Sequence, residues 1–363
     1  MSEPHQRLPL PRRSDRYAVV MAGGTGTRFW PQSRRRLPKQ LLTVVGKRTL
    51  LQATVDRLRA LVPLSQVLVV THRDHAREVR RQLPRLARRN VLIEPVGRNT
   101  APCVALAALE ITRRVPEATF ACLPADHSIA DPAAFRATLA EAFAWAHREP
   151  CAVTIGIRPT RAETGYGYLR IGRRLGGRAR RVSAFVEKPP LTRARRYVTS
   201  GRYLWNSGMF VWRTSTLLGL LDRHLPKVTA ALRPVFRARG RARTSALVKA
   251  YARLTPVSID HGVMEKAPHV LTVSGDFGWS DVGSWASLSG AAGGRATRQA
   301  PVVAVDSSGY VVVSSERLVA LVGIKDLIVV DAHDALLVCR REQAQDVRRV
   351  VQELERRGLQ KYL

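Results

Sequence analysis

Short apolar runs alternate with segments of helical periodicity over the first 160 residues, and this alternation limits the possible folds more than any other feature. Five runs predict buried parallel strands: YAVVMA (17–22), QVLVVT (66–71), NVLIEP (90–95), TFACLPAD (119–126) and AVTIGIRP (152–159). Three segments between them predict helices: 50–62, 100–115 and 132–147. Such alternation builds a doubly wound α/β sheet, whose ligands bind beyond the carboxyl ends of the strands. We therefore expect functional residues where strands end.

The remainder of the chain predicts two further regions. Residues 160–290 show a mixed pattern, with strands near 166–171, 182–188 and 208–212 and helices near 214–222 and 244–253. Short strands then recur near 302, 310, 318, 327 and 335, which is typical of a small β-solenoid or sandwich, and the segment 343–356 predicts a helix over its open edge. We place a domain boundary near 292, which gives a disordered lead-in (1–16), a large domain (17–291) and a small one (292–363).

The net charge of +32 comes from 60 basic and 28 acidic residues, and 52 of the basic residues are arginines. The arginines form short clusters scattered over several predicted elements, without an aromatic-interleaved basic segment or a nucleic-acid-binding motif. A solvated arginine-rich surface is therefore favoured over a specific nucleic-acid partner. Nonspecific binding to polyanions at low salt stays open.

The chain shows no feature of a membrane or secreted protein. No apolar run approaches the roughly 18 residues that a membrane span needs, and the N-terminal residues lack the apolar core of a secretory signal. The four cysteines lie far apart and form no CxxC pair, so neither a zinc site nor a disulfide framework is expected. These observations predict a cytoplasmic protein.

The glycine-rich loop AGGTGTR (22–28) directly follows the first predicted strand, where backbone N–H groups can approach phosphate oxygens closely. It is not a Walker A loop, because no GK[ST] follows, and it lacks the third glycine of the dinucleotide fingerprint. By itself, such a loop is explained equally well as a structural tight turn. The cations Arg28 and Lys39, on the segment that continues FWPQSRRRLPKQ, favour phosphate binding over simple surface charge.

The segment AGGTGTRFWPQSRRRLPKQ resembles the signature of the sugar nucleotidyltransferases, and its FWP and PKQ elements are similar to the mannose-1-phosphate guanylyltransferase branch. The resemblance implies catalytic roles for Arg28 and Lys39 at the triphosphate. It also implies nucleotide binding by the loop and by the segment EPVGRNTAP, through Ala22, Gly23, Gly24, Thr25, Gly26, Thr27, Asn99 and Thr100. Without the resemblance, capping of a helix explains Asn99 and Thr100 equally well. Backbone groups near the loop offer one way to distinguish guanine from the other bases.

Two aspartates are candidate magnesium ligands, because Mg²⁺ prefers oxygen donors and takes one or two carboxylates together with phosphate oxygens and water. Asp126, in CLPADH, follows a predicted strand, and Asp281, in GWSDVGSW, lies on a glycine-bounded loop. Both match aspartates that bind metal in the resembled family, although helix capping is an alternative for Asp126. The neighbouring His127 and His261 are interpreted as supporting or structural residues.

Four later motifs carry polar groups suited to a sugar phosphate: ETGYGYL, FVEKPP, WNSGMFVW and SIDHGVMEK. They resemble, in this order, the hexose-binding segments of the guanylyltransferases. The implied sugar-binding residues are Tyr166, Gly167, Glu187, Asn206 and Asp260, and the implied partner of the sugar's phosphate is the catalytic Lys188. A Glu–Lys pair beside a proline is otherwise a routine surface pair.

The resemblance implies transfer of GMP from GTP to α-D-mannose 1-phosphate with Mg²⁺ as cofactor, without a covalent intermediate or a general base. It further implies a homodimer and, for the C-terminal strands, a small left-handed β-helix domain. The chain ends before the isomerase domain of longer members, so isomerase activity is not expected. Two alternatives stay open: a guanylyltransferase for heptose or glucose 1-phosphate, and a non-catalytic subunit that senses sugar nucleotides. The second is disfavoured because every expected cation and aspartate is present.

Overall fold

The computed structural model describes residues 9–24, 26–288, 301–314 and 317–363. The strands within these ranges are β1 (Arg16–Ala22), β2 (Val67–His72), β3 (Val91–Glu94), β4 (Thr119–Pro124), β5 (Ser128–Ile129), β6 (Ala152–Ile157), β7 (Gly167–Gly176), β8 (Ala179–Val186), β9 (Tyr203–Arg213), β10 (Val270–Gly275), β11 (Trp279–Ser280), β12 (Val302–Val305), β13 (Val311–Val313), β14 (Val319–Val322), β15 (Leu327–Ala332) and β16 (Ala335–Arg340). The α-helices are α1 (Leu50–Leu58), α2 (Ala76–Gln82), α3 (Thr100–Arg114), α4 (Pro132–Arg148), α5 (Leu191–Ser200), α6 (Thr214–His224), α7 (Pro226–Arg237), α8 (Gly240–Arg253) and α9 (Val347–Arg356).

One mixed sheet organises most of the chain, in the order β3-β2-β1-β4-β9-β6-β10-β8-β7. The first four strands in this order run parallel to one another, and β6 and β10 are also parallel. Strand β9 lies antiparallel between β4 and β6, and it also pairs with β7. The predicted α/β class with a mixed sheet is confirmed.

Alternate residues of β1 belong to two separate apolar cores, one on each face of the sheet. Ala18 and Val20 pack in the core that includes side chains of α1 and α4, whereas Tyr17 and Val19 pack in the core that includes α3. Both faces of the strand are therefore covered, which explains its unbroken apolar sequence. The sheet is doubly wound, and its carboxyl edge is left for ligands.

Three helices were absent from the sequence-based predictions, each for a physical reason. Helix α2 is short and mostly charged, α5 buries Ala194 alone, and α7 contains Pro234. Neither α2 nor α5 presents the wide apolar stripe that periodicity detects. Helix α7 does bury Val228, Leu232 and Val235 at helical spacing, but the proline inside the segment argues against a helix there. The helix predicted over 50–62 ends at Leu58, and in the predicted lead-in residues 13–15 form one 3-10 turn before β1.

The C-terminal strands pair in the manner of a β-helix. Strand β12 pairs in parallel with β14, and β13 pairs in parallel with β15, so each strand contacts the next but one along the chain. Strand β16 returns antiparallel to β15, and the predicted terminal helix divides into a 3-10 segment (Arg341–Asp346) and α9. The boundary predicted near 292 falls outside the described residues. Among those residues, no helix has the length and apolarity that crossing a membrane requires.

Candidate active site

The glycine-rich loop leaves the carboxyl end of β1 and is braced by the turn that follows it. The Gln40 side-chain amide donates hydrogen bonds to the carbonyl oxygens of Ala22 (3.1 Å) and Gly24 (2.8 Å). Gly26 has a φ of +62°, and a Cβ there would lie 2.3 Å from the Cβ of Lys39. Only glycine therefore allows this loop and Lys39 to lie in contact.

Lys39 joins the two candidate metal-binding aspartates. Its side chain is 6% exposed, and Nζ donates to Asp126 Oδ2 at 2.8 Å and to the backbone oxygen of Asp281 at 2.7 Å. The short antiparallel ribbon of β5 and β11 pairs Ser128 with Ser280, which brings the two aspartate loops together. Burial raises the pKa of Asp126, but the Lys39 charge and hydrogen bond reverse this effect, so the pKa lies below its usual value.

The two aspartates fit the oxygen chemistry of a magnesium site. One carboxylate oxygen of each is occupied, because Asp126 Oδ2 accepts from Lys39 and Asp281 Oδ1 accepts from the Tyr166 hydroxyl at 2.5 Å. Among the described residues, Asp126 Oδ1 and Asp281 Oδ2 have no side-chain hydrogen-bond donor. The described residues hold no group of three or more metal-binding side chains, so phosphate oxygens and water would complete the shell. Helix capping, the alternative for Asp126, is performed by Asp131 at α4.

Arg28 and Lys188 lie at the wall of a cleft of about 2650 Å³, together with Tyr166 and Asp281. Arg28 is exposed, and its guanidinium is 3.5 Å from the Gly283 carbonyl oxygen, which leaves it able to turn toward a ligand. The opposite wall includes residues of the C-terminal strands. Four of the predicted site residues therefore face one common space.

The predicted nucleoside contacts, Asn99 and Thr100, begin α3 and have structural partners. Asn99 Oδ1 accepts from the Thr100 N–H at 2.8 Å, and the Thr100 hydroxyl oxygen accepts from the Ile259 N–H at 2.8 Å. In this structure Asn99 therefore caps the helix, as the alternative interpretation predicts. Its φ of 66° and ψ of −170° belong to a region that glycine normally occupies, and such strain is common at ligand sites. Thr25 lies outside the described residues.

Glu94 is a candidate site residue that the sequence-based reasoning missed. It ends β3, is 4% exposed, and its Oε2 lies 3.5 Å from where a Cβ on Gly23 would stand. Burial raises the pKa of this carboxyl to about 7, although Oε1 accepts a hydrogen bond from the Tyr251 hydroxyl. The signal was available, since an acidic residue at the end of a buried parallel strand points into the ligand crevice.

Glu187 and Lys188 form a pair in which one member is buried and the other exposed. Their side chains are 9% and 60% exposed, and Glu187 Oε1 lies 2.9 Å from Lys188 Nζ. The second oxygen, Glu187 Oε2, is buried without a hydrogen-bond partner among the described residues. A Cβ on Gly167 would lie only 2.3 Å from it. A routine surface pair would leave no buried acceptor of this kind, so the geometry favours a binding role.

Asn206 and Asp260 form a second polar cluster beside Glu187. Asn206 Nδ2 donates to Asp260 Oδ1 at 2.9 Å, and Asn206 Oδ1 accepts from the Thr154 hydroxyl at 2.9 Å. Asp260 starts a single turn of π-helix, a feature found frequently at functional sites. Burial, and next the charge of Glu187, raise the pKa of Asp260 to about 6. Three predicted sugar-binding residues are therefore close together.

The two histidines differ in their surroundings. Burial lowers the pKa of His127 to about 4, and its Nδ1 accepts from Trp279 Nε1 at 3.2 Å, so the neutral ring carries its proton on Nε2. His261 is exposed and pairs with Glu265 at 2.9 Å. In the part of the chain that the structure describes, neither ring forms a hydrogen bond with Asp126, Asp260 or Asp281, which agrees with a supporting role.

Two known families match consecutive parts of the chain. Residues 17–292 match the family described as nucleotidyl transferase, and residues 300–354 match the mannose-phosphate isomerase/GMP-like β-helix domain. The first match spans the large sheet and every candidate site residue named above. The second spans the parallel C-terminal strands and most of α9.

Individual relatives agree over nearly the whole chain. The mannose-1-phosphate guanylyltransferase of Escherichia coli K12 is 41% identical over 360 residues, which cover 95% of this chain and 75% of that protein. The xanthan biosynthesis protein XanB of Xanthomonas campestris is 41% identical over 352 residues, covering 95% and 74%. The crystal structure of mannose-1-phosphate geranyltransferase from Thermus thermophilus superposes with a TM-score of 0.87 at 39% identity, covering 94% and 99%. The chain therefore belongs to the nucleotidyl transferase family.

Proposed function

We propose that the protein is a mannose-1-phosphate guanylyltransferase, which transfers GMP from GTP to α-D-mannose 1-phosphate and releases pyrophosphate. The observation that carries this proposal is the buried Lys39 ammonium, bound to the Asp126 carboxylate and the Asp281 carbonyl beside a glycine loop. A fixed positive charge and two carboxylates beside this loop support binding of a triphosphate and its metal here. The E. coli relative, whose name states this activity, supports the choice of substrates.

The reaction needs positioning and charge neutralisation more than covalent chemistry. A phosphate oxygen of the sugar 1-phosphate attacks the α-phosphorus of GTP, and the bond from that phosphorus to the β-phosphate oxygen breaks. Lys39 and Arg28 neutralise the negative charge that moves onto the departing pyrophosphate. Mg²⁺, held by Asp126 and Asp281, would supply additional neutralisation of the phosphate oxygens.

The nucleoside is assigned to the edge of the sheet between β1 and β3. Backbone groups of the loop from Ala22 to Thr27 hold the phosphates, and Asn99 and Thr100 lie at the start of α3 for the ribose or base. We assign the base contact to Glu94, since an ionised carboxylate can accept both the N1–H and the N2 amino group of guanine. No other common base presents two adjacent donors of this kind.

The sugar is assigned to the cluster of buried acceptors at the end of β8 and on β9. Glu187 Oε2 needs a donor, which a sugar hydroxyl supplies, and Asn206 and Asp260 offer further polar atoms. Gly167 leaves room beside Glu187, and the exposed Lys188 can approach the sugar's phosphate. Tyr166, predicted to contact the sugar, instead uses its hydroxyl to hold Asp281.

Pyrophosphate release from a panel of nucleoside triphosphates and sugar 1-phosphates tests the proposal. GTP with mannose 1-phosphate is expected to give the highest kcat/KM. A higher value with glucose or heptose 1-phosphate would reassign the acceptor, and a lack of turnover with every pair, despite binding of GDP-mannose, would identify a sensing subunit instead.

We also propose that the protein forms a homodimer through its C-terminal strands. Strands β12 and β14 expose apolar side chains, with Val303, Val305 and Val322 at 50%, 50% and 70% exposure. Contiguous exposed apolar surface is unusual on a monomer, and a symmetric copy offers a matching surface. Light scattering is expected to give twice the mass of one chain, and Val303→Asp with Val322→Asp should give a monomer; a monomeric parent protein would refute the proposal.

A cytoplasmic location is proposed on the state of the cysteines. All four, Cys103, Cys122, Cys151 and Cys339, are free thiols, which persist most readily in a reducing compartment. Cell fractionation tests this location directly.

A further inference from the structure

The C-terminal strands share one apolar core with the two loops that carry Arg28 and Asp281. We call it the buttress core, and the members that matter here are Phe29, Trp30, Val282, Trp285, Ile328 and Leu337. Phe29 directly follows Arg28, and Val282 directly follows Asp281. Each of these two charged residues is therefore the chain neighbour of a side chain that is buried against the C-terminal strands.

Val282 has a backbone conformation that valine rarely adopts. Its φ is +47°, in the left-handed region, and its side chain is 0% exposed. A β-branched side chain is unfavourable in this region, and it stays there only where the surrounding packing determines the conformation. Glycine, which lies at position 283, would adopt this conformation without strain. The presence of valine at 282 thus indicates that its buried side chain is needed.

The buttress core also joins the two loops directly to each other. The Phe29 and Trp285 rings lie 4.7 Å apart between centroids, and Trp285 Nε1 donates to the Trp30 carbonyl oxygen at 3.0 Å. Trp30 Nε1 in turn donates to the Tyr362 carbonyl oxygen at 2.8 Å, which fastens the first loop to the C-terminal region. A shift of the C-terminal strands would therefore be transmitted to both loops through packed contacts.

We propose that Val282 is a positioning residue, whose side chain anchors the Asp281 backbone in the buttress core. The anchor keeps the Asp281 carbonyl oxygen on the Lys39 ammonium and the Asp281 carboxylate on the Tyr166 hydroxyl. The C-terminal strands, which supply Ile328 and Leu337 to the core, thus take part in forming the active site. The catalytic consequence rests on the proposed function, whereas the anchoring itself does not.

Three matched variants of the full-length protein test the proposal: Val282→Ala, Ile328→Ala and Val153→Ala. Ile328 lies on β15 in the buttress core, and Val153 lies on β6 in a different core; all three side chains are 0% exposed. The measurements are steady-state kinetics and amide hydrogen exchange of segments 26–34 and 278–288, without substrates. The Ile328 and Val153 variants leave both segments unchanged in sequence, so their exchange can be compared directly with that of the parent protein.

The Val282 and Ile328 variants are expected to lower kcat about tenfold by displacing Asp281, with little change in KM for the sugar phosphate. They should also exchange faster in segment 278–288. Val153→Ala should lower the thermal midpoint comparably without either effect. The milder Val282→Thr and Ile328→Val serve if an alanine variant does not fold, and Val282→Ile should retain kcat.

Wild-type exchange in segment 278–288 and wild-type kcat in the folded Val282 and Ile328 variants would overturn the proposal. Equal effects from Val153→Ala would also overturn it, because a general loss of stability would then explain the result. If the parent protein released no pyrophosphate with any substrate pair, the proposed function would be wrong. The exchange comparison would still decide whether the buttress core anchors Asp281.

Discussion

The phosphate side of the candidate site and its nucleoside and sugar side differ in how their carboxylates are compensated. On the phosphate side, the Lys39 ammonium compensates Asp126, whose pKa is held below its usual value. On the nucleoside and sugar side, Glu94 is buried and Asp260 is partly buried, and neither has a cation in hydrogen-bond contact among the described residues. Their pKa values rise to about 7 and about 6. A cation therefore compensates Asp126 in the absence of substrate, whereas no contacting cation compensates Glu94 or Asp260 in the described structure.

This difference matches the chemistry that each half is proposed to perform. Charge moves during phosphoryl transfer, and groups that stabilise moving charge act best when they are fixed in advance. Recognition of a base or a sugar needs acceptors that stay unsatisfied until the correct donors arrive, because an incorrect ligand then leaves a buried polar group unpaired. The predictions below test the contrast, from the largest expected effect to the smallest.

Removal of the compensating charge should have the largest effect. Lys39→Met leaves Asp126 without its ammonium partner and removes a cation from the departing pyrophosphate, so kcat/KM should fall about a thousandfold. Steady-state pyrophosphate release measures the loss. Lys47→Met, at an exposed lysine of the same loop region, is the control and should retain activity. A loss of less than tenfold for Lys39→Met would place the critical charge elsewhere.

Asp281→Asn should remove most turnover while the fold stays intact. The amide keeps the size of the side chain but loses the charge that favours Mg²⁺, so kcat should fall about a hundredfold and the metal concentration for half-maximal activity should rise. Titration with Mg²⁺ and a thermal unfolding scan check both parts. Asp276→Asn, at an exposed aspartate of the same cleft, should behave as the parent does. Near-normal rates for Asp281→Asn would contradict the metal assignment.

Glu94→Gln should change base selection more than catalysis. ITP lacks the N2 amino group of GTP, so the parent protein should prefer GTP over ITP, and the variant should lose about tenfold of that preference. The ratio of the two kcat/KM values is the measurement. Tyr251→Phe removes the hydroxyl on Glu94 Oε1 and should keep the preference, since Oε2 still faces the loop. If the ratio of the two kcat/KM values were unchanged in Glu94→Gln, backbone groups near the glycine-rich loop would be the groups that select the base.

Asp260→Asn should stabilise the protein while weakening sugar binding. The folded-state pKa of about 6 exceeds the ordinary 3.8, so the folded protein binds this proton more tightly than the unfolded chain. The stability cost of the charged carboxylate therefore develops as the pH rises from about 3.8 to about 6, and its replacement should raise the free energy of unfolding by about 1–2 kcal/mol at pH 7.5. The gain should shrink as the pH falls from about 6 toward 3.8.

Thermal unfolding at pH 7.5 and pH 5 measures the expected gain, and KM for mannose 1-phosphate measures the loss of binding. Asp222→Asn, at an aspartate on α6 that is 47% exposed, serves as a control without a pH-dependent gain. A gain for Asp260→Asn that is equal at both pH values would show that the charge of Asp260 is not its cause.

Local patterns in the sequence predicted much of the fold and of the candidate site. Apolar runs and helical periodicity predicted the central strands and α3 and α4, because these elements are buried on one or both faces. They did not predict α5, in which a single alanine is fully buried. The sequence also did not predict that β9 lies antiparallel between β4 and β6, because strand order depends on contacts between distant segments.

The same limit applies to the site residues and to the arginines. Motifs named the charged and polar residues of the site, but the Tyr166–Asp281 bond and the role of Glu94 depend on tertiary contacts. The arginines were interpreted as surface charge, and the sequence did not show that several of them form ion pairs with a buried carboxylate. The carboxylate of Glu110, which is 3% exposed, is bound by Arg113, Arg114 and Arg243.

The contact between Gly26 and Lys39 constrains how the protein can diversify. Any side chain at position 26 would collide with the Cβ and the backbone nitrogen of residue 39, so replacement of the glycine requires the two segments to separate, whichever side chain position 39 carries. Such a separation would also draw the Lys39 ammonium away from Asp126, which it compensates. A descendant that lacks the glycine is therefore expected to have lost the activity and to have a different task.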